Sequence, residues 1–152
     1  MPKVLIVYES MFGNTRRAAE TIAEGLKGAG VIAVISELKD VDENQLTGFD
    51  AILVGSPNHM GGATRGIKKF IDKLGKLNLE GRMAAVFDTY AGNEYEKAAR
   101  KMEKQLSEKA PRLKLVSPGL SVRVAGVRGP IEEGELPKCK EFGVIIANQL
   151  KG

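Results

Sequence analysis

From Met1 to Gly30 the chain reads MPKVLIVYESMFGNTRRAAETIAEGLKGAG: an apolar run, a short polar loop and an amphipathic helix in immediate succession. Val4, Leu5, Ile6 and Val7 are consecutive apolar residues, which suits a strand buried on both faces of a parallel sheet. Ala18, Ile22 and Leu26 recur every fourth residue with Ala19 and Ala23 beside them, so one helical face is apolar and packs back on the strand. The loop Ser10-Met11-Phe12-Gly13-Asn14-Thr15 therefore lies at the carboxyl end of a strand and the amino end of a helix. There the first helical N–H groups lack intrahelical partners and the dipole is positive, so a phosphate or other anion is favoured. Ser10, Asn14 and Thr15 add side-chain donors, and Gly13 permits a left-handed bend that keeps side chains off a ligand. A plain helix cap from Ser10 or Asn14 is the simpler alternative. The loop has neither the Gly-Lys-Ser/Thr ending of a triphosphate site nor the Gly-x-Gly-x-x-Gly of a dinucleotide site.

Strand and helix signals alternate through the rest of the chain. Val31 to Ile35 is a second apolar strand, and Ser36 to Gly48 a polar, acidic surface connection. Ala51 to Val54 is a third strand, closed by Gly55-Ser56-Pro57, and Ile67, Phe70, Ile71 and Leu74 give the i, i+3, i+4, i+7 spacing of a second helix. Met83 to Phe87 is the fourth strand; Tyr95, Ala98, Ala99, Met102 and Leu106 mark a third long helix that Pro111 stops. The fifth strand is either Leu113 to Val116 or Leu120 to Val124, around Ser117-Pro118-Gly119. Pro130 to Pro137 reads as a loop, and Cys139, Phe142, Ile146 and Leu150 face the core from a C-terminal helix. This alternation specifies an α/β fold, a doubly wound five-stranded parallel sheet in a three-layer sandwich with right-handed crossovers, expected as one domain over residues 1–152.

Composition removes several classes of function. With 152 residues, 43% of them hydrophobic and 28% charged, the chain is globular. The start runs straight into the first strand and no apolar run approaches the roughly 18 residues of a spanning helix, so a cytoplasmic protein without membrane insertion is expected. Cys139 is the only cysteine and His59 the only histidine, which argues against a disulfide, a zinc site or any catalytic unit needing two histidines. The net charge of +4 comes from Lys and Arg interspersed with carboxylates, not from the basic blocks of a nucleic-acid binder.

The first strand, the Ser10-x-x-Gly13-Asn14-Thr15 loop and the helix after it resemble the phosphate loop of the flavodoxin family, whose ligand is the monophosphate of FMN. Phe12 stands where many flavodoxins have a second Thr, so backbone amides would carry more of the phosphate. The resemblance implies the strand order 2-1-3-4-5, of which flavodoxin is itself a standard example, with FMN in the crevice between strands one and three. It implies that Pro57, Asn58, His59, Met60 and Gly61 line one face and edge of the flavin, the Met60-Gly61 pair resembling the Met-Gly of short-chain members. After the fourth strand, Thr89, Tyr90, Ala91, Gly92 and Asn93 would hold the other side. Tyr90 is the candidate to stack on the isoalloxazine, with backbone N–H groups of Ala91 to Asn93 on the pyrimidine edge, while Tyr95 is expected in the core. The implied function is electron transfer through FMN between redox proteins, with no catalytic residues and no metal. Many flavodoxins are acidic, so the positive charge here points to acidic carriers such as ferredoxin or rubredoxin as partners. The alternative is an FMN-dependent oxidoreductase acting on a quinone or porphyrinogen. A receiver-type module would need an Asp at the end of the third strand, where Gly55-Ser56 stands.

Overall fold

The computed structural model describes all residues from Met1 to Gly152. In chain order, β1 (Lys3–Tyr8) leads to α1 (Asn14–Gly28), then β2 (Ile32–Glu37), two short 3-10 turns, β3 (Ala51–Pro57) and α2 (Arg65–Leu74). Next come β4 (Met83–Tyr90), α3 (Lys97–Lys109), the short strands β5 (Lys114–Leu115) and β6 (Leu120–Arg123), and α4 (Leu136–Lys151). All pairings are parallel, in the order β2-β1-β3-β4-β5, with β6 also on β4. The doubly wound order implied by the sequence is therefore the one observed.

The apolar runs fold this way because the central strands bury both faces. Val4, Ile6, Leu53 and Phe87 point toward Ile22 and Leu26 of α1 and Phe142 and Ile146 of α4. Leu5, Val7, Ile52 and Val54 point the other way, toward Ile67 and Ile71 of α2 and Met102 and Leu106 of α3. At the sheet edge β2 alternates instead, leaving Ile32 and Val34 exposed.

Both segments considered for the fifth strand are strands, because they share one neighbour. Lys114 and Leu115 pair with Met83 and Ala84, while Leu120 to Arg123 pair with Phe87 to Tyr90. Between them Gly119 crosses so close to β4 that a Cβ there would lie 2.6 Å from the Val86 carbonyl oxygen, a passage only glycine allows. Since β6 supplies a partner, β4 runs past its apolar stretch to Tyr90, and the expected loop residues Asp88, Thr89 and Tyr90 are strand residues. The third helix starts later than its apolar spacing suggests. Asn58 Oδ1 accepts the Ala98 N–H at 3.0 Å, Asp88 Oδ2 the Ala99 N–H at 2.9 Å and Ser121 Oγ the Glu96 N–H at 2.9 Å. These tertiary acceptors fix the helix start at Lys97, so Tyr95 lies outside it and is exposed, not in the core.

α1 and α4 meet backbone to backbone. A Cβ on Gly143 would sit 2.2 Å from the Ile22 carbonyl oxygen and one on Gly25 2.0 Å from that of Lys140, whereas Gly28 has open space. Gly143→Ala should therefore destabilise the protein by at least about 2 kcal/mol through overpacking, while Gly28→Ala should stabilise it by about 0.5 kcal/mol through helix propensity. Urea denaturation of the two variants checks this; equal effects would mean that the helices can separate at little cost.

Candidate functional site

The β1–α1 turn is a cradle of donors. Gly13 adopts φ 85° with nothing within 4 Å of where a side chain would begin. The first helical bond runs from the Arg17 N–H to the Gly13 carbonyl at 3.0 Å, so the N–H groups of Asn14 and Thr15 have no intrahelical acceptor. Arg16 N–H reaches Ser10 Oγ at 3.4 Å, and no acidic residue occupies the first turn. Thr15 is buried with its hydroxyl 3.0 Å from that of Thr89, which ties this loop to the end of β4.

A cleft of about 330 Å³ opens over these strand ends. Of the residues singled out in the sequence, Ser10, Met11, Phe12, Asn14, Thr15, Pro57, Asn58, His59, Thr89, Tyr90 and Ala91 line it. Gly13, Met60, Gly61, Gly92 and Asn93 do not. Gly13 makes the left-handed bend, Met60 is at an exposed turn tip, and Gly92 and Asn93 are exposed in the β4–α3 connection. The Gly61 N–H is already bonded to Glu94 Oε2 at 2.8 Å.

Sequence reasoning missed three lining residues, Glu94, Val124 and Val127. The last two belong to a hairpin after β6, in which Val124 and Ile131 form an antiparallel bridge and the Ala125 N–H bonds the Pro130 carbonyl at 2.8 Å. Its tip brings Val127 to the cleft and the Arg128 guanidinium to 5.8 Å from the Phe12 ring centre. Gly129, at φ 90°, packs on Asn14, where a Cβ would fall 2.2 Å from Oδ1. The signal was the pair Gly126 and Gly129-Pro130 bracketing Val127-Arg128 ahead of the expected loop.

Several lining side chains are already engaged. Asn58 Nδ2 donates to the Thr89 carbonyl at 3.1 Å while its Oδ1 caps α3, so Asn58 braces the second and third loops. His59 Nε2 lies 3.0 Å from Met11 Sδ across the mouth. Tyr90 is clasped by the Arg123 guanidinium 5.8 Å over its ring and by Tyr95 edge-on at 5.4 Å. Tyr90 is buried and lines the cleft. Cys139 lies in the core, where burial pushes its thiol up to about 12, so it is no nucleophile.

His59 and Gly62 exchange both backbone hydrogen bonds, at 2.7 and 3.1 Å, and the two residues between them have positive φ, 53° at Met60 and 77° at Gly61. This is a I′-type turn, which favours Asn-Gly.

Phosphate-type donors at a helix N-terminus, beside a cleft at the switch point between β1 and β3, define a mononucleotide-binding doubly wound protein. The flavodoxin domain model matches residues 5–125. The chain belongs to the flavodoxin domain family, whose cofactor is FMN. It is similar to a flavodoxin of Clostridium saccharobutylicum, 38% identical over 88 residues, covering 57% of this chain and 55% of that protein. It is also similar to an NAD(P)H dehydrogenase (quinone) of Archaeoglobus fulgidus, 29% identical over 116 residues, covering 57% of this chain and 61% of that one. The chain thus spans little more than half the length of these relatives. Among solved structures, a flavodoxin from the domain Archaea superposes with a TM-score of 0.86 at 28% identity, covering 99% of both chains.

Two outcomes follow from this geometry. Met60→Asn should stabilise the protein by about 1 kcal/mol, the scale of the left-handed penalty for an ordinary side chain; thermal melts check it, and no gain would mean the turn carries no strain. For Asp88, burial raises the carboxyl above its ordinary 3.8, outweighing the hydrogen bonds from Ser121, Ala99 and Asn58 that lower it. The folded state then holds the proton longer than the unfolded chain, so stability is lost as pH rises through the window above the unfolded pKa. The stability of the wild type relative to Asp88→Asn should fall as pH rises from about 4 towards neutrality. Urea titrations across that range test the sign.

Proposed function

We propose that residues 1–152 act as one flavodoxin-like domain that binds FMN in this cleft and carries electrons between redox proteins in the cytoplasm. The observation that carries this reading is the β1–α1 cradle, with its left-handed Gly13, acid-free first turn and N–H groups of Asn14 and Thr15 lacking helical acceptors. Ser10, Asn14 and Thr15 would hold the phosphate, and Pro57, His59, Tyr90 and Ala91 would flank the ring. FMN, when bound, supplies a centre that accepts one or two electrons. The chain binds it, orients it and limits water, with Met11, Phe12, His59 and Val127 at the mouth. No helix of the chain is long and apolar enough to cross a membrane. The net charge of +4 favours acidic carriers such as ferredoxin or rubredoxin.

Titration of the purified protein with FMN, followed by flavin absorbance and fluorescence quenching, tests the reading. Thr15→Ala and Asn14→Ala should each weaken FMN by about 1.5–3 kcal/mol, the scale of a lost hydrogen bond to a charged group, and leave riboflavin binding unchanged. Thr15→Ser, which keeps the hydroxyl, should restore most of the affinity. Equal losses for both flavins would place the phosphate elsewhere.

A second reading is reduction of a quinone by the bound flavin. It is favoured by the similarity to two NAD(P)H dehydrogenases (quinone), at 29% and 30% identity over about half of this chain. Steady oxidation of NAD(P)H with a quinone and no added reductase would establish it.

A further inference from the structure

The cations around the cleft mouth are unpaired. Lys68, Lys97 and Lys101 converge on the His59–Gly62 turn: a Cβ on Gly61 would lie 3.4 Å from Lys97 Cδ and 4.0 Å from Lys101 Nζ, and one on Gly62 3.7 Å from Lys68 Nζ. Arg65 lines the adjoining groove with Met11 and His59, and Arg128 stands over Phe12. The six ion pairs of the molecule use other cations and leave all five of these out. The carboxylates at the mouth and in the adjoining groove are engaged within the protein, Glu9 by the Thr64 hydroxyl, Glu94 by the Gly61 N–H and Glu37 by Lys39. Amid the cations stands an apolar group, with Met60 fully exposed at the turn tip and Met11, Phe12 and Val127 also exposed.

An apolar centre inside a rim of one charge sign is the anatomy of a transient protein interface, in which the rim steers encounter and the centre makes contact. Beyond the three lysines at the turn, Arg65 and Arg128 carry the positive charge further around the mouth, which suits a carboxylate-bearing surface better than one nucleotide phosphate. Nothing in the chain covers Met60 or neutralises the lysines.

We infer that the His59–Gly62 turn with Lys68, Lys97 and Lys101 is a docking surface for an acidic redox protein, with Met60 at its apolar centre. This rests on the electron-carrier reading above and identifies the surface through which that carrier would meet its partner. FMN held in the cleft would supply the one electron that the ferric iron of the partner accepts.

The probe is oxidised rubredoxin, an acidic iron protein, mixed in a stopped-flow device with FMN-loaded protein that has been reduced and freed of excess reductant. Lys68→Glu/Lys97→Glu/Lys101→Glu is compared with Lys27→Glu/Lys76→Glu/Lys140→Glu, which changes net charge equally on surfaces away from the turn. The first triple variant should slow the second-order reaction about tenfold or more at low ionic strength, the second much less. The difference should disappear at about 1 M salt, where the Debye length is about 3 Å. Equal slowing by both variants would reduce the effect to net charge and overturn the docking surface. So would an unchanged rubredoxin rate in the first variant with a raised KM for NADPH, which would make the lysines a nucleotide-phosphate site. Calorimetric titration of each flavin-free protein with oxidised rubredoxin gives the same comparison without FMN. Failure of the wild type to load FMN would therefore sink the carrier reading alone, while the order of affinities still decides the surface.

Discussion

Burial of β1, β3 and β4 on both faces is the constraint on which the rest of this structure depends. A strand with helices over each face has no side on which a polar residue can meet water, so the polar groups of the central sheet are displaced to its ends. The carboxyl end is where the crossovers turn into helices, and each turn delivers helical N–H groups to one crevice. Asp88 shows how tightly this is held. Its carboxylate is fully buried at the point where β4 becomes site, and it is tolerated there because the Ser121 hydroxyl donates to one oxygen at 2.6 Å and the Ala99 N–H to the other. One side chain thereby joins β4, β6 and α3 beneath the cleft.

The crevice is shaped by backbone in the left-handed region, and three cases differ in kind. Gly13 needs the conformation to start α1 with its donors outward, and Gly129 needs both the conformation and the missing Cβ to let the hairpin touch Asn14. Met60 has the conformation without the residue that favours it. Such strain persists only where the surroundings impose it, and here they do: paired hydrogen bonds between His59 and Gly62 close the turn, and Glu94 holds the Gly61 N–H. The side chain that bears this cost is also the most exposed of the large apolar ones.

The parts of the fold legible in the sequence were those set by periodicity within a single element. Ile67, Phe70, Ile71 and Leu74 are buried as their spacing requires, and the apolar run from Val4 to Val7 is a central strand. What was not legible depends on groups distant in the chain. The start of α3 is set by Asn58, Asp88 and Ser121, so Tyr95, in phase with the helix, falls outside it. Asp88 and Thr89 look like loop residues until β6 is placed beside them. In the site, the donors of the first loop could be read because a helix N-terminus advertises itself locally. Glu94, Val124 and Val127 could not, because their place in the cleft comes from a hairpin and a turn meeting from opposite sides.

The distribution of charge bears on what such a cleft can do. Exposed ammonium groups that crowd one turn repel each other weakly, since bulk water screens them. The same groups count for more once a partner excludes that water, because lowering the effective dielectric from about 80 to about 20 strengthens each interaction about fourfold. An isolated chain thus tolerates the unpaired rim at small cost, while a carboxylate surface approaching it gains at each step of closure. Pairing Lys68, Lys97 and Lys101 with carboxylates of this chain would have added little to stability, as exposed ion pairs generally do, and would have removed that gain. The chain forms its six ion pairs with other cations, on α1, α3, the α4 start, the connections beside β2 and α2, and at Arg123–Glu132 next to Tyr90. Its carboxylates near the cleft instead hold backbone and hydroxyl groups in place. Negative charge at the mouth shapes the turn, and positive charge is left facing outward.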